Sequence, residues 1–213
     1  MKQEISVILA DDHPLIRQAV SQVLTANGKV KILGEANNGQ EAIEMVRQLK
    51  PDIAILDIQM PDMDGFETAR IILAERHTTK IIFLTMYKEA ALIKKVFDLG
   101  VKGYILKESA VLDILKCVEA VYDDHLYLSP QVSQVLLENQ QEQEREGNLT
   151  PAEKNILFLI SKGKSSEEIA QEMFVARKTV ENHRSNICKK LGITGNSALL
   201  KYALKMFAEN GGN

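Results

Sequence analysis

Asp11-Asp12 follows the apolar run Ile5–Ala10, and Asp57 follows the apolar residues Ile53 to Leu56. Carboxylates brought together from two such runs would repel one another and rise in pKa. A hard divalent cation resolves that conflict, and Mg²⁺ suits the donor set. It takes a few carboxylates and leaves water or phosphoryl oxygens to complete its octahedron. Thr85 ends a further run of the same kind, and Lys107 follows another. A hydroxyl and an ammonium beside such a site would stabilise a phosphoryl group carried by Asp57, because carboxylates can accept phosphoryl groups as nucleophiles. Aspartates at strand ends are also common turn formers. That reading competes for Asp11-Asp12 taken alone, but not for Asp, Thr and Lys at the ends of four separate runs.

The elements that must position these groups alternate between two periods. Short β-rich runs occur at 5–10, 30–36, 53–57, 81–85 and 103–106. Between them, amphipathic stretches of helical period cover 14–25, 40–49, 65–74, 89–99 and 110–122. Five such units predict an α/β domain, a five-stranded parallel sheet with helices on both faces. Ile53-Ala54-Ile55-Leu56 is apolar throughout, as expected of a strand buried on both faces. With strand order 2-1-3-4-5, the first and third strands flank the point where the order reverses, and ligands collect there at strand C-terminal ends. Gly28 and Gly100 are read as closing the first and fourth helices, and Ser109 as capping the fifth.

The pattern changes at Ser129-Pro130, and Glu138–Asn148 is rich in Gln and Glu. Residues 129–148 are therefore read as a linker, an extended helix or tether. It separates a first domain, 1–128, from a second, 149–213. The second reads as entirely helical. Thr150-Pro151-Ala152-Glu153 is a strong helix start, and Gly163 ends that helix. Ser165 or Ser166 caps the next, 167–174. Val175-Ala176 leads into Arg177–Leu191, ended by Gly192, and a last helix runs from about Ser197 to Ala208. Short helices in a basic module match a helix-turn-helix with supporting helices. Val180, Ile187 and Leu191 would share the buried face of the third helix, leaving Lys178, Glu181, Asn182 and Ser185 outward. Asn can bridge adenine, Lys and Arg can reach guanine or phosphate, and Glu can accept from cytosine. Thr179, Arg184 and Lys189 are candidate phosphate contacts. His183 and Glu153 read as structural residues. Leu199, Tyr202, Ala203 and Met206 form an apolar stripe that is either core or a dimer contact.

Two stretches of the chain resemble known families. Asp11-Asp12-His13-Pro14, Asp57-Ile58-Gln59-Met60-Pro61 with Asp64-Gly65, Leu84-Thr85 and Gly103-Tyr104-Ile105-Leu106-Lys107 resemble the receiver domains of two-component systems. This resemblance covers residues 5 to about 123 and implies a flavodoxin-like (βα)5 fold. It implies Asp57 as phospho-acceptor and Asp11, Asp12, Asp57 and the Gln59 backbone carbonyl as Mg²⁺ ligands. Thr85 becomes the switch hydroxyl, Lys107 the phosphate partner and Tyr104 an aromatic switch that turns inward. From Leu149-Thr150-Pro151 to about Ala208 the chain resembles the LuxR-type helix-turn-helix of the NarL/FixJ response regulators. The partners implied are a sensor histidine kinase, double-stranded promoter DNA, a second copy of the chain when phosphorylated or on DNA, and RNA polymerase as a candidate. Two residues depart from the common pattern. Met86 follows the threonine where a small residue is usual, and a bulky side chain there would crowd the phosphate. Glu108 stands where many receivers have proline.

Charge and composition agree with this division. Residues 149–213 hold eight Lys and two Arg against six Glu, a net +4, within a chain of net −3, so residues 1–148 carry −7. A basic module behind an acidic one fits a nucleic-acid-binding tail under a regulatory domain. The apolar runs are too short to cross a bilayer and no secretory signal is visible, so a cytoplasmic protein without membrane partners is expected. Cys117 and Cys188 lack metal-ligand spacing and read as reduced thiols. An aspartate-nucleophile phosphatase is the enzymatic rival. Such enzymes place a second acid two residues after the nucleophile, where this chain has Gln59. An adaptor that works without phosphorylation is the other rival. The chain is therefore expected not to be an enzyme.

Overall fold

The computed structural model describes residues 4–26, 28–75 and 78–209. The chain divides into two compact units, Met1–Leu137 and Glu138–Asn213. The boundary falls inside the segment expected to be the linker.

The first unit alternates β1 (Ile5–Ala10), α1 (Pro14–Thr25), β2 (Val30–Ala36), α2 (Gly39–Leu49), β3 (Ile53–Leu56), α3 (Gly65–Ala74), β4 (Lys80–Thr85), α4 (Ala90–Asp98), β5 (Gly103–Leu106), α5 (Ala110–Tyr122) and β6 (Tyr127–Leu128). The sheet is parallel in the order β2-β1-β3-β4-β5-β6. Strand alternation feeds two cores. Ala54 and Leu56 join the cluster under α2, α3 and α4, while Ile53 and Ile55 join the cluster under α1 and α5. That is why the strand sequence shows no polar face.

The sixth strand is an addition to the expected five. It is only two residues long, too short for a periodic signal, and it lies beside β5 through the Tyr127 N–H donated to the Lys102 carbonyl at 2.8 Å. The chain then enters α6 (Pro130–Gly147). Its first turns belong to the first unit, with Val132 fully buried and Val135 and Leu136 packed beside it. Each such apolar side chain contributes about 1.5–3 kcal/mol when fully buried.

Local chemistry sets the helix starts. The side chains of Asn38 and Asp64 accept the Glu41 and Glu67 amides at 2.9 and 2.8 Å. Gly65 is required sterically, because a Cβ there would lie 2.0 Å from the Asp57 carbonyl oxygen. Ser109 stands at the expected N-cap position of α5, but its side chain does not cap. A 3₁₀ turn, Lys107–Ser109, winds directly into α5, and Ser109 makes no capping bond. Its buried hydroxyl donates instead to the Leu106 carbonyl at 3.2 Å.

The second unit contains α7 (Pro151–Ser161), α8 (Ser166–Glu172), α9 (Arg177–Leu191) and α10 (Asn196–Glu209). Thr150 with Glu153, and Ser165 with Glu168, form reciprocal capping boxes. Gly192 ends α9 at φ 69°, a left-handed conformation that favours glycine. Val180, Ile187 and Leu191 are buried together with Ile156, Ile160 and Ile169. The stripe on α10 is core: Leu199 and Ala203 are fully buried, and Tyr202 and Met206 pack against the same cluster. No helix among the described residues is long and apolar enough to cross a membrane.

Candidate functional site

Two sites emerge, one in each unit. In the first, the C-terminal ends of β1, β3, β4 and β5 converge. Asp11 and Asp57 are almost fully buried. Lys107, just past β5, places its ammonium 2.6 Å from Asp57 Oδ2 and 2.8 Å from Asp11 Oδ2. Asp12 is more open, and the His13 ring lies 2.6 Å from its Oδ1. Ligand atoms of Asp11, Asp12, His13 and Asp57 all lie within 4.8 Å of one another.

One ammonium between two buried carboxylates leaves the pocket short of positive charge. Asp11 Oδ2, although in ion-pair contact with Lys107, makes no aligned hydrogen bond. Burial is the largest influence on Asp57 and pushes its carboxyl up; Lys107 pulls it down, and the Asp11 charge adds to the rise. Burial disfavours the Lys107 charge too, but the Asp11 and Asp57 carboxylates beside it outweigh that and hold the ammonium above its usual value. Three carboxylates, one of them buried and under-satisfied, fit a hard divalent cation.

Thr85 is buried at the end of β4, and its hydroxyl accepts the Tyr87 amide at 3.3 Å. Tyr104 is fully buried, already inward, and burial pushes its phenol up. Its hydroxyl donates to the Tyr87 carbonyl at 2.9 Å. The Tyr87 hydroxyl in turn lies 3.3 Å from Gln59 Oε1. Tyr87 therefore ties Thr85, Tyr104 and Gln59 together, a role that sequence reasoning missed. Its position two residues after Thr85 was the available signal. Arg17 was missed as well. Its guanidinium donates to the Asp11 carbonyl, and its Nε pairs with Glu35 at 3.3 Å. Met86 is 66% exposed, so its side chain points largely to solvent.

The second site is the outer face of α9. Lys178, Asn182, Ser185 and Lys189 are exposed there, while Thr179, Glu181 and Arg184 are partly buried. Arg184 lies 3.4 Å from Asn196 Oδ1. Arg177, Glu181, Arg184, Ser185 and Lys189 line an open groove of about 840 Å³ that continues along 192–196. The opposite side of α9 is anchored by an ion pair legible in no local pattern. Lys190 Nζ reaches the buried Glu153 carboxylate at 2.7 Å. Burial pushes Glu153 up, but Lys190 and the Thr150 amide outweigh it and hold the group below the usual carboxylate range.

Two family models match the chain. The response regulator receiver domain matches residues 7–119, and the LuxR family of bacterial regulatory proteins matches residues 147–203. The chain is 34% identical over 203 residues to the response regulator protein VraR of Staphylococcus saprophyticus, covering 94% of this chain and 97% of that protein. It is 30% identical over 213 residues to the transcriptional regulatory protein LnrK of Bacillus subtilis, again covering 94% and 97%. Among solved structures, the RcsB response regulator of Salmonella typhimurium is similar at TM-score 0.65 and 28% identity, over 95% of this chain and 98% of that one. A structure of an RcsB–DNA complex is similar at TM-score 0.61 and 28% identity, over 94% and 98%.

Proposed function

The chain belongs to the response regulators that join a receiver domain to a LuxR-type DNA-binding domain, and we propose that phosphorylation of Asp57 controls its binding to promoter DNA. As a DNA-binding transcriptional regulator it stands with its relatives, which are not enzymes. In this reading residues 1–128 hold the phosphorylation chemistry, 129–148 connect, and 149–213 bind DNA in the cytoplasm.

A carboxylate oxygen of Asp57 attacks the phosphorus of a phosphohistidine on a sensor kinase. The new P–O bond forms as the P–N bond breaks, and the imidazole leaves with the electron pair and takes up a proton. Asp11, Asp12, Asp57 and the Gln59 carbonyl would hold Mg²⁺, which when bound offsets the charge between the carboxylates and the incoming phosphoryl group. Lys107 is already within hydrogen-bond reach of Asp57 and can follow the charge onto a phosphoryl oxygen. The Thr85 hydroxyl, which accepts the Tyr87 amide through a lone pair, keeps its own hydrogen to donate to another phosphoryl oxygen, and reorienting to do so changes its contact with Tyr87. Tyr104 then reports the event through the same Tyr87 main chain rather than by turning inward, because it is inward already.

On α9, Lys178, Glu181, Asn182 and Ser185 are the proposed base-facing residues, with Thr179, Arg184 and Lys189 on phosphates. Paired half-sites call for a homodimer when the protein is phosphorylated or on DNA, and RNA polymerase is a candidate partner at the promoter.

The observation that carries this proposal is the buried Asp57 carboxylate held 2.6 Å from Lys107 beside Asp11. The test is intact mass after incubation with acetyl phosphate and Mg²⁺. Wild type should gain one phosphoryl group and Asp57→Asn none, and the modified form should bind promoter DNA differently. A wild type that stays unmodified by acetyl phosphate and by a phosphorylated kinase would sink the proposal.

A further inference from the structure

The first turns of α9 carry two cations that are already spoken for. Arg177 Nε lies 3.0 Å from Glu181 Oε1, and Lys178 Nζ lies 3.8 Å from Glu181 Oε2. A second carboxylate, Glu167 on α8, approaches the other end of Arg177 at 3.6 Å. Such i,i+4 and i,i+3 pairs support any exposed helix slightly, and on most helices that would be their whole effect. Here the pairs sit beside Asn182 and Ser185, on the face proposed to meet DNA.

We infer that Glu181 is a specificity-determining residue: it holds Arg177 and Lys178 away from phosphates on arbitrary DNA and releases them only where a base-edge donor takes its carboxylate. This inference rests on the reading of α9 as the recognition helix. A carboxylate entering the major groove is repelled by the phosphates on either side. Of the base-edge donors it meets there, the amino group of cytosine suits it best, because adenine sets its acceptor N7 beside its own amino group. On a sequence lacking cytosine at that position, the carboxylate has no base donor to turn to, and the two cations stay committed to it. On a matching sequence the carboxylate turns to the base, and Arg177 and Lys178 become free for the backbone. Non-specific affinity comes almost entirely from such cation–phosphate contacts, so a residue that sequesters two of them raises the ratio of specific to non-specific binding.

The test uses the full-length protein with a duplex that wild type enriches from a randomised library, and a scrambled duplex of the same composition. Glu181→Gln should bind the scrambled duplex roughly ten-fold more tightly, with a salt dependence steeper by about two released counterions. Its preference for the enriched duplex should fall roughly ten-fold, and cytosine should lose its enrichment at one position. Glu181→Asp keeps the charge on a shorter stem and should loosen the hold on Arg177 without admitting other bases. Glu167→Gln should steepen the salt dependence while preserving the preference. An unchanged preference in Glu181→Gln, with thermal unfolding like that of wild type, would overturn the inference and leave α9 as the reading helix. If wild type enriches no sequence at all, the reading of α9 itself falls, and this inference with it.

Discussion

The acid pocket of the first unit and the outer face of α9 both gather opposite charges, but they place them in opposite surroundings. Asp11, Asp57 and Lys107 are sealed from water, and each is held by the others. Arg177, Lys178 and Glu181 are open to solvent at 63%, 79% and 39% side-chain exposure. Buried charges interact strongly and leave a large unmet cost when one partner is removed. Exposed pairs are screened and contribute little to stability. Under the proposed function, a single phosphoryl group added to the first arrangement meets every charge in the pocket at once. Under the same proposal, the charges of the second are redistributed among DNA phosphates one at a time.

That contrast can be broken or sharpened by substitution. The largest effect is expected at Asp57, where replacement by Asn should abolish phosphoryl uptake measured by intact mass. Lys107→Ala comes next. It leaves two buried carboxylates facing each other and should destabilise the first unit by roughly 3 kcal/mol in urea unfolding without metal. Mg²⁺ should restore more stability to this variant than to wild type. Equal metal responses would show that the ammonium and the cation do not share the pocket's charge.

Glu153→Gln tests an intermediate case, a buried carboxylate paired with a half-exposed lysine. It should cost about 1–3 kcal/mol at neutral pH. The folded carboxyl lies below its usual value. Its contribution is therefore fully present above the ordinary carboxylate range and is lost as pH falls through the lowered folded value. Wild-type stability of the second unit should decline over that acid window, and the variant should decline less steeply. A parallel decline would assign the acid sensitivity to other carboxylates. The smallest effect is expected from Lys189→Ala. It should weaken all duplexes by less than about ten-fold, reduce the salt slope by about one, and leave unfolding unchanged. A sequence-dependent loss would place Lys189 on a base edge rather than a phosphate.

Much of this was legible in linear order. The uninterrupted apolar residues of β3 announce a strand covered on both faces, and Thr150 with Glu153 announces the start of α7. Asp11-Asp12, Asp57, Thr85 and Lys107 declare themselves by standing at the ends of four strands, because a parallel sheet carries all such ends to one rim. Ser109 was legible as the N-cap residue but not as one without a capping bond, because a capping serine and a serine ending a 3₁₀ turn look alike in sequence. They differ only in backbone angles set by the preceding turn. β6 escaped notice because two residues carry no period, and its place beside β5 depends on a hydrogen bond to Lys102.

The sequence by itself determined the two-domain plan, the residues of the acid pocket and the exposed face of α9, since all three follow from local periodicity and from chemistry carried by single residues. The tertiary structure alone decided that Lys107 spans Asp11 and Asp57, that Tyr87 joins Thr85 to Tyr104 and Gln59, that Arg17 braces Asp11, and that Lys190 closes on Glu153. The physical reason is range. Helix and strand periods are written in neighbours three or four residues apart, whereas most of these contacts join side chains dozens of residues apart and exist only once packing has brought them within a few ångströms.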